Sequence, residues 1–330
     1  MESILVAGGA GYVGSHACKV LAQAGYRPVV IDNLATGHAD AVKWGPLIRA
    51  DIRDRAAVAA ALGEYKITAA MHFAASSLVG ETVVRPELYY DNNVVATLAL
   101  LDALTAGGVK HIVFSSSAAV YGIIDRDLIG EDEPLAPINP YGETKRIIEG
   151  ALRWLGAAKG FSWCALRYFN AAGADEDGEI GERHEPETHL IPNLVKAALG
   201  TGPKLKVFGD DYPTPDGSAV RDYVHVTDLA DAHVAALAWL KAGGASRPFN
   251  LGTGTGLSNL QIVAAAQAAL GREPPFEMAP RRAGDPPRLV ADPTAARTIL
   301  KWSPTRSDPV TLIRTVGAFE SRRAPVAVRR

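Results

Sequence analysis

The sequence has little of what marks several large classes of protein. Only two cysteines, Cys18 and Cys164, occur in 330 residues, which excludes a disulfide scaffold and a cysteine-built metal centre. A chain this long buries about 75% of its unfolded surface and needs no such staples. Both cysteines fall in apolar patterns and read as small buried hydrophobes, in keeping with a reducing compartment. The formal net charge of -2 supplies no general field for nucleic acid or an anionic membrane. No run approaches the ~18 uninterrupted apolar residues of a membrane span. Met1-Glu2-Ser3 leads straight into a strand pattern rather than a basic and apolar leader. There is no internal repeat or low-complexity stretch. These absences leave a cytoplasmic globular protein with no metal and no nucleic-acid or membrane partner.

What is there is a rhythm. Short apolar runs at 4–7, 28–31, 47–48, 69–73, 112–115 and 163–167 alternate with helical patterns at 15–24, 54–62, 86–105 and 141–158. That alternation is the signature of βαβ units and a parallel sheet, so an α/β doubly wound (Rossmann) fold is expected over residues 1–170. After Asn170 the rhythm breaks. The stretch 173–188 is charge-rich and Gly-bearing and reads as a loop. A smaller mixed α/β lobe is expected over 171–330, with some later segments returning to the first domain and a disordered tail from Ala324.

Gly8-Gly9-Ala10-Gly11-Tyr12-Val13-Gly14 follows the first strand and opens a helix. Gly8 permits the tight turn, Gly11 lets the backbone approach a pyrophosphate, and Gly14 lets helix pack on strand. The helix N-terminus offers free N–H groups and a positive dipole end to phosphate. Asp32 ends the second strand, where a carboxylate accepts from ribose hydroxyls and repels a 2′-phosphate, so NAD is favoured over NADP. Asp51-Ile52, after the third strand, reads either as an adenine flank or as a helix N-cap.

Tyr141 and Lys145 stand four residues apart, a spacing that stacks both side chains on one helix face. An ammonium near a phenol favours the phenolate and makes a base of it. Ser115-Ser116-Ser117 closes the fifth strand, at the sheet edge where ligands bind in such folds. Each element alone has a plain reading: a satisfied loop hydroxyl, or an exposed helix start. Their order along one chain points to hydride chemistry on an alcohol.

With these motifs the chain resembles the extended short-chain dehydrogenase/reductase superfamily, and within it the UDP-glucose 4-epimerase family. The likeness runs from Gly8 to about Trp302 and includes Asp32-Asn33-Leu34, Met-His-Phe-Ala-Ala at 71–75, Tyr-Tyr-Asp-Asn-Asn-Val at 89–94 and Pro-Tyr-Gly-Glu-Thr-Lys at 140–145. It continues through Arg-Tyr-Phe-Asn-Ala-Ala-Gly-Ala at 167–174, and more specific are Val-Arg-Asp-Tyr-Val-His-Val-Thr-Asp-Leu-Ala-Asp-Ala-His at 220–233, Asn-Leu-Gly-Thr-Gly at 250–254 and Arg-Arg-Ala-Gly-Asp at 281–285. The resemblance implies interconversion of UDP-glucose and UDP-galactose through a 4-keto sugar, with retained NAD and a homodimer. It makes Tyr141 the base, Lys145 its cationic partner and Ser117 the donor to the sugar O4. Phe73, Ala74, Asn92, Ser115 and Tyr168 would join Gly8, Gly11, Tyr12, Val13, Gly14, Asp32, Asn33, Asp51 and Ile52 around NAD. Asn170, Leu190, Phe208, Arg221, Arg282, Asp285 and Leu289 would hold the UDP-sugar. Guanidinium pairs suit a diphosphate on physical grounds as well.

Two positions depart from the pattern. Ser77 stands where some relatives have Lys, and Leu289 where some have Tyr, which leaves room for an N-acetylated hexosamine. A UDP-xylose/UDP-arabinose substrate shares everything the motifs reveal. Related dehydratases carry Asp-Glu after the fifth-strand hydroxyl; here Ala118 and Ala119 follow and transfer no protons. A cofactor-binding scaffold that has lost catalysis is disfavoured by the presence of both Tyr141 and Lys145.

Overall fold

The computed structural model describes residues 1–282 and 285–323; the tail from Ala324 lies outside the described residues. Its centre is a seven-stranded sheet. Strands β1 (Ser3–Ala7), β2 (Arg27–Asp32), β3 (Leu47–Arg49), β4 (Ala69–His72), β5 (His111–Ser117) and β6 (Ser162–Tyr168) are joined by a strand from far along the chain, Arg247–Leu251. The order is Arg247–Leu251, β6, β5, β4, β1, β2, β3, and every pairing is parallel. All five residues of β1 are buried, as expected when helices cover both faces.

The helices Arg55–Tyr65, Ala96–Ala106 and Pro140–Lys159 pack on one face through Val58, Leu62, Leu100, Ile148 and Leu152. Tyr12–Gln23 and Val226–Lys241 pack on the other through Cys18, Leu21, Leu229 and Leu237. The fold is thus the doubly wound sheet expected. Both cysteines are buried and free. Among the described residues no helix is long and apolar enough to cross a membrane.

Local chemistry places the helix that carries Tyr141 and Lys145. Asn139 Oδ1 accepts from Gly142 N at 2.9 Å, Pro140 takes the first turn, and Gly160 at φ 71° ends the helix. The pattern at 86–105, by contrast, is not one helix. An α-helical turn at Pro86–Tyr89 runs into a π-helical stretch, Tyr90–Val95, before Ala96–Ala106. The polar pair Asn92-Asn93 accounts for the wider turn, because both side chains reach to Ser76 instead of continuing the α-helical stacking.

Beyond residue 170 a second core gathers Leu190–Leu199, Asn259–Leu270 and Pro309–Arg323 around Leu194, Ile262 and Ile313. Small sheets edge it: Leu205–Phe208 with Phe276–Ala279, and Val220–Arg221 between Leu257–Ser258 and Arg288–Leu289. The stretch 173–188 holds no helix or strand, as its composition implied, and crosses back to the first domain. Lys19 binds Asp175 and Asp177, Arg183 binds Asp40, and Tyr12 Oη donates to Gly173 O at 2.6 Å.

Candidate active site

The Gly-rich turn connects β1 to the helix Tyr12–Gln23 at the carboxyl edge of the sheet. Gly8 has φ 81°, and a Cβ there would stand 2.4 Å from Ala74 N. A Cβ on Gly14 would stand 2.2 Å from Gly8 O. These two glycines are demanded by the chain itself. Gly11 is different: its Cβ would meet nothing closer than Gly8 O at 3.4 Å, so the space in front of this helix start is free for a phosphate. Asp32 accepts from Ala10 N at 3.0 Å and Leu34 N at 2.8 Å, which ties the turn to the β2 end and leaves lone pairs for ribose. These residues fit NAD.

Around the cradle, Asn33 Nδ2 donates to Asp51 Oδ2 at 3.0 Å. Asp51 also takes a two-pronged bond from Arg53, which holds its carboxyl down at about 2. The helix cap is Asp54, not Asp51: Asp54 Oδ1 accepts from Ala57 N at 3.0 Å. Ile52 is buried in the core beneath. Phe73 and Ala74 continue from β4, both N–H groups donating to Ala7 O.

The catalytic candidates meet one turn away. Tyr141 and Ser117 are each 9% exposed and Lys145 2%. Lys145 Nζ donates to Ser115 O at 2.8 Å and lies 5.6 Å from the Tyr141 ring centre. Ser115 Oγ and Tyr168 Oη are 2.8 Å apart, while Ser117 Oγ accepts from Ala119 N at 3.1 Å. Burial pushes the Tyr141 phenol well up, Tyr168 adds to this, and a hydrogen bond with Ser117 acts against it. Burial also brings Lys145 down to about 7, opposed by Glu149. Burial is thus a larger effect on this phenol than the lowering expected from the ammonium.

Three residues that sequence reasoning did not single out support this group. Glu149, one turn beyond Lys145, binds Arg167 through both carboxylate oxygens and accepts from Ser116 Oγ at 2.6 Å. Its four-residue spacing after Lys145 was the available signal. Asn93, fully buried, joins Ser76 to Thr144 Oγ1 and so ties the loop after β4 to the catalytic helix. The His233 ring lies 4.6 Å from Phe73 and 6.5 Å from Tyr168; it closes the 220–233 motif, which gave it no role.

The substrate-side candidates converge from separate segments. Arg221 is 9% exposed, with Nη2 3.7 Å from Asp285 Oδ1. Arg282 lies 4.1 Å above the Phe208 ring. Leu289 pairs in register with Arg221 and packs against the cluster of Ala118, Val120 and Tyr121 just beyond Ser117. Asn170 pairs with Tyr223, two residues after Arg221. Leu190 starts its helix against the second core. Asp222 props this region by accepting from Thr253 N, Gly254 N and Ala291 N.

A glycine cradle with a sheet-end carboxylate and a Tyr-x-x-x-Lys helix define a dinucleotide-dependent enzyme. The chain belongs to the NAD dependent epimerase/dehydratase family, whose profile matches residues 4–252. It is 52% identical over 302 residues to a UDP-glucose 4-epimerase of Lactobacillus helveticus, covering 91% of this chain and 92% of that one. Among solved structures it resembles the UDP-glucose 4-epimerase of Brucella ovis in complex with NAD, at 51% identity and TM-score 0.93 over 96% of this chain and 98% of that chain. It also resembles that of Stenotrophomonas maltophila with bound NAD and formylated UDP-arabinopyranose, at 40% identity and TM-score 0.95 over 98% and 100% of the two chains.

Proposed function

We propose that this chain interconverts UDP-glucose and UDP-galactose by inverting C4 of the sugar, with NAD retained through the cycle. The observation that carries the reading is the burial of Tyr141, Ser117 and Lys145 in one group, with Leu289, the register partner of Arg221, packed against Ala118 just beyond Ser117. When bound, NAD supplies the acceptor for the C4 hydride and then its donor. Tyr141 Oη takes the 4-hydroxyl proton and gives it back, a role worth about 10²–10⁴-fold in rate. Ser117 donates to the same oxygen as it gains carbonyl character. Lys145, fixed on Ser115 O, orients the cofactor ribose. Arg221 and Arg282 take the diphosphate, Asp285 a ribose hydroxyl, and Asn170, Leu190 and Phe208 complete the nucleotide grip, so that residues beyond 170 form the substrate lobe.

Inversion requires the 4-keto hexose to present its other face, so the grip belongs on UDP and not on the hexose. The charged candidates Arg221, Arg282 and Asp285 satisfy that division. Leu289 beside Arg221 supports a second reading, tolerance of UDP-GlcNAc. Incubating the protein with UDP-glucose, UDP-xylose and UDP-GlcNAc separately, each followed by NMR, tests both. Inversion of UDP-glucose is expected; loss of water or inversion of the pentose alone would overturn the main reading.

Assembly as a homodimer is part of the proposal. Val84, Leu88, Val95, Leu98 and Trp154 are exposed on the helical segments at 79–106 and 140–159, an apolar set of the kind that facing helices cover. Light scattering of Trp154→Glu should show monomer where the parent shows dimer; a monomeric parent would refute it.

A further inference from the structure

The charge-rich crossing segment holds a group of side chains that the proposed reaction does not use. Glu182, His184, Glu187 and His189 each bring a donor atom within 4.8 Å of the other three. His189 Nδ1 lies 2.8 Å from Glu182 Oε1 and 3.0 Å from Glu187 Oε1, and His184 Nδ1 lies 3.0 Å from Glu182 Oε1. The two carboxylates are withdrawn from solvent, with side-chain exposures of 5% and 6%.

Hydrogen bonding does not close this group. An Nδ1 carries one proton at most, so His189 cannot fully serve both carboxylates. Glu187 Oε1 accepts from Thr188 N and His189 N at 2.8 Å and faces His189 Nδ1, but Glu187 Oε2 is buried without a hydrogen-bond partner, a costly arrangement for half of a carboxylate. The two carboxylates bring two negative charges to the group, which one divalent cation balances.

We propose that Glu182, His184, Glu187 and His189 form a binding site for one divalent transition-metal ion of the zinc class. Zinc takes imidazole nitrogen and carboxylate oxygen at about 2.0–2.2 Å in tetrahedral geometry, which sets ligands about 3.3 Å apart. The closest contacts, 2.8–3.0 Å, lie within a few tenths of an ångström of that spacing, and all four donor atoms lie within 4.8 Å of one another. Two imidazoles select against calcium and magnesium, which prefer all-oxygen sites. The neighbouring trio Asp175, Asp177 and Glu179 is no competitor, because Lys19 Nζ already sits on all three. Cysteine spacing, the cue followed in the sequence, does not report a Glu-x-His-x-x-Glu-x-His loop. The site has a structural consequence: His184 lines a small cavity with Gly11, Tyr12 and Arg183, so an ion here fastens the crossing segment against the cradle.

Chelator-treated full-length protein is loaded with Co2+ as a spectroscopic stand-in, desalted, and read by metal analysis, visible absorption and thermal unfolding. The expected result is one ion per chain, the intense visible bands of tetrahedral cobalt, their loss when Zn2+ is added, and a higher midpoint with either ion. His184→Asn with His189→Asn should retain no ion. Parent protein that emerges without cobalt, or with only the faint absorption of an octahedral ion, overturns the site. So does stoichiometric metal in the double variant. The parent's ion ratio and spectrum decide the matter even where that variant fails to fold.

Discussion

The cofactor end and the substrate end of this molecule are built by opposite means. The cofactor candidates all fall between Gly8 and Tyr168, and several polar groups there are buried and hydrogen-bonded: Asp32 ties the turn through Ala10, Asn93 bonds Thr144 on the helix of Lys145, and Glu149 takes Ser116 and Arg167. The substrate end draws Arg221, Arg282 and Asp285 from loops and strands two residues long, and Asp285 is still 41% exposed in its side chain. A rigid end suits a cofactor that must not leave. An end with charges on loops and short strands suits a substrate that must enter, turn and leave.

Acid should strain the contrast hardest. Burial lowers His16, His225 and His233 to about 4 and His72 to about 3. All four belong to the sheet or its covering helices, or adjoin them. Each is neutral when folded and protonates near ~6.5 when unfolded, so stability is full above ~6.5 and falls as pH drops toward the folded values. The loss is about 1.4 kcal/mol per pH unit for each histidine. Thermal scans from pH 7 to 5, with NAD release followed in parallel, should show steep loss of both; a flat profile would mean these rings are solvated.

Next in size, Tyr141→Phe should lower turnover about 10²–10⁴-fold while calorimetry finds UDP affinity nearly intact. Turnover near the parent's would remove Tyr141 from the chemistry. Arg221→Ala should weaken UDP about 10- to 100-fold, the loss of charge-assisted hydrogen bonds worth ~1.5–3 kcal/mol, without changing the NAD content of purified protein. Simultaneous NAD loss would show the two ends to be one unit. Smallest, Asp54→Ala removes a helix cap at the cofactor end and should cost about 1 kcal/mol, ~2 °C in midpoint, with unchanged UDP affinity and turnover.

Much of the cofactor end was legible because its signals are local. Gly8 and Gly14 are demanded by contacts within a few residues or at the adjacent strand end, and Asn139, Pro140 and Gly160 bound the catalytic helix by cap chemistry. The π-helical turn at Tyr90–Val95 was not legible, since it exists to let Asn92 and Asn93 reach Ser76, a contact no periodicity reveals. The phenol pKa was misjudged for a related reason: spacing showed the ammonium beside Tyr141, whereas burial sets the larger effect. Glu149 and His233 gained no role from the sequence because their partners, Arg167 in β6 and Phe73 just beyond β4, are distant along the chain.

The amino-acid order by itself determined the alternation of strand and helix, the glycine turn, the helix caps and the pairing of Tyr141 with Lys145, because each depends on neighbours a turn or a strand away. Only the tertiary structure decided that Arg247–Leu251 completes the central sheet and that Arg221 meets Asp285 across 64 positions. Those outcomes rest on burial and on the closing of long loops, which bring together groups that no local pattern relates.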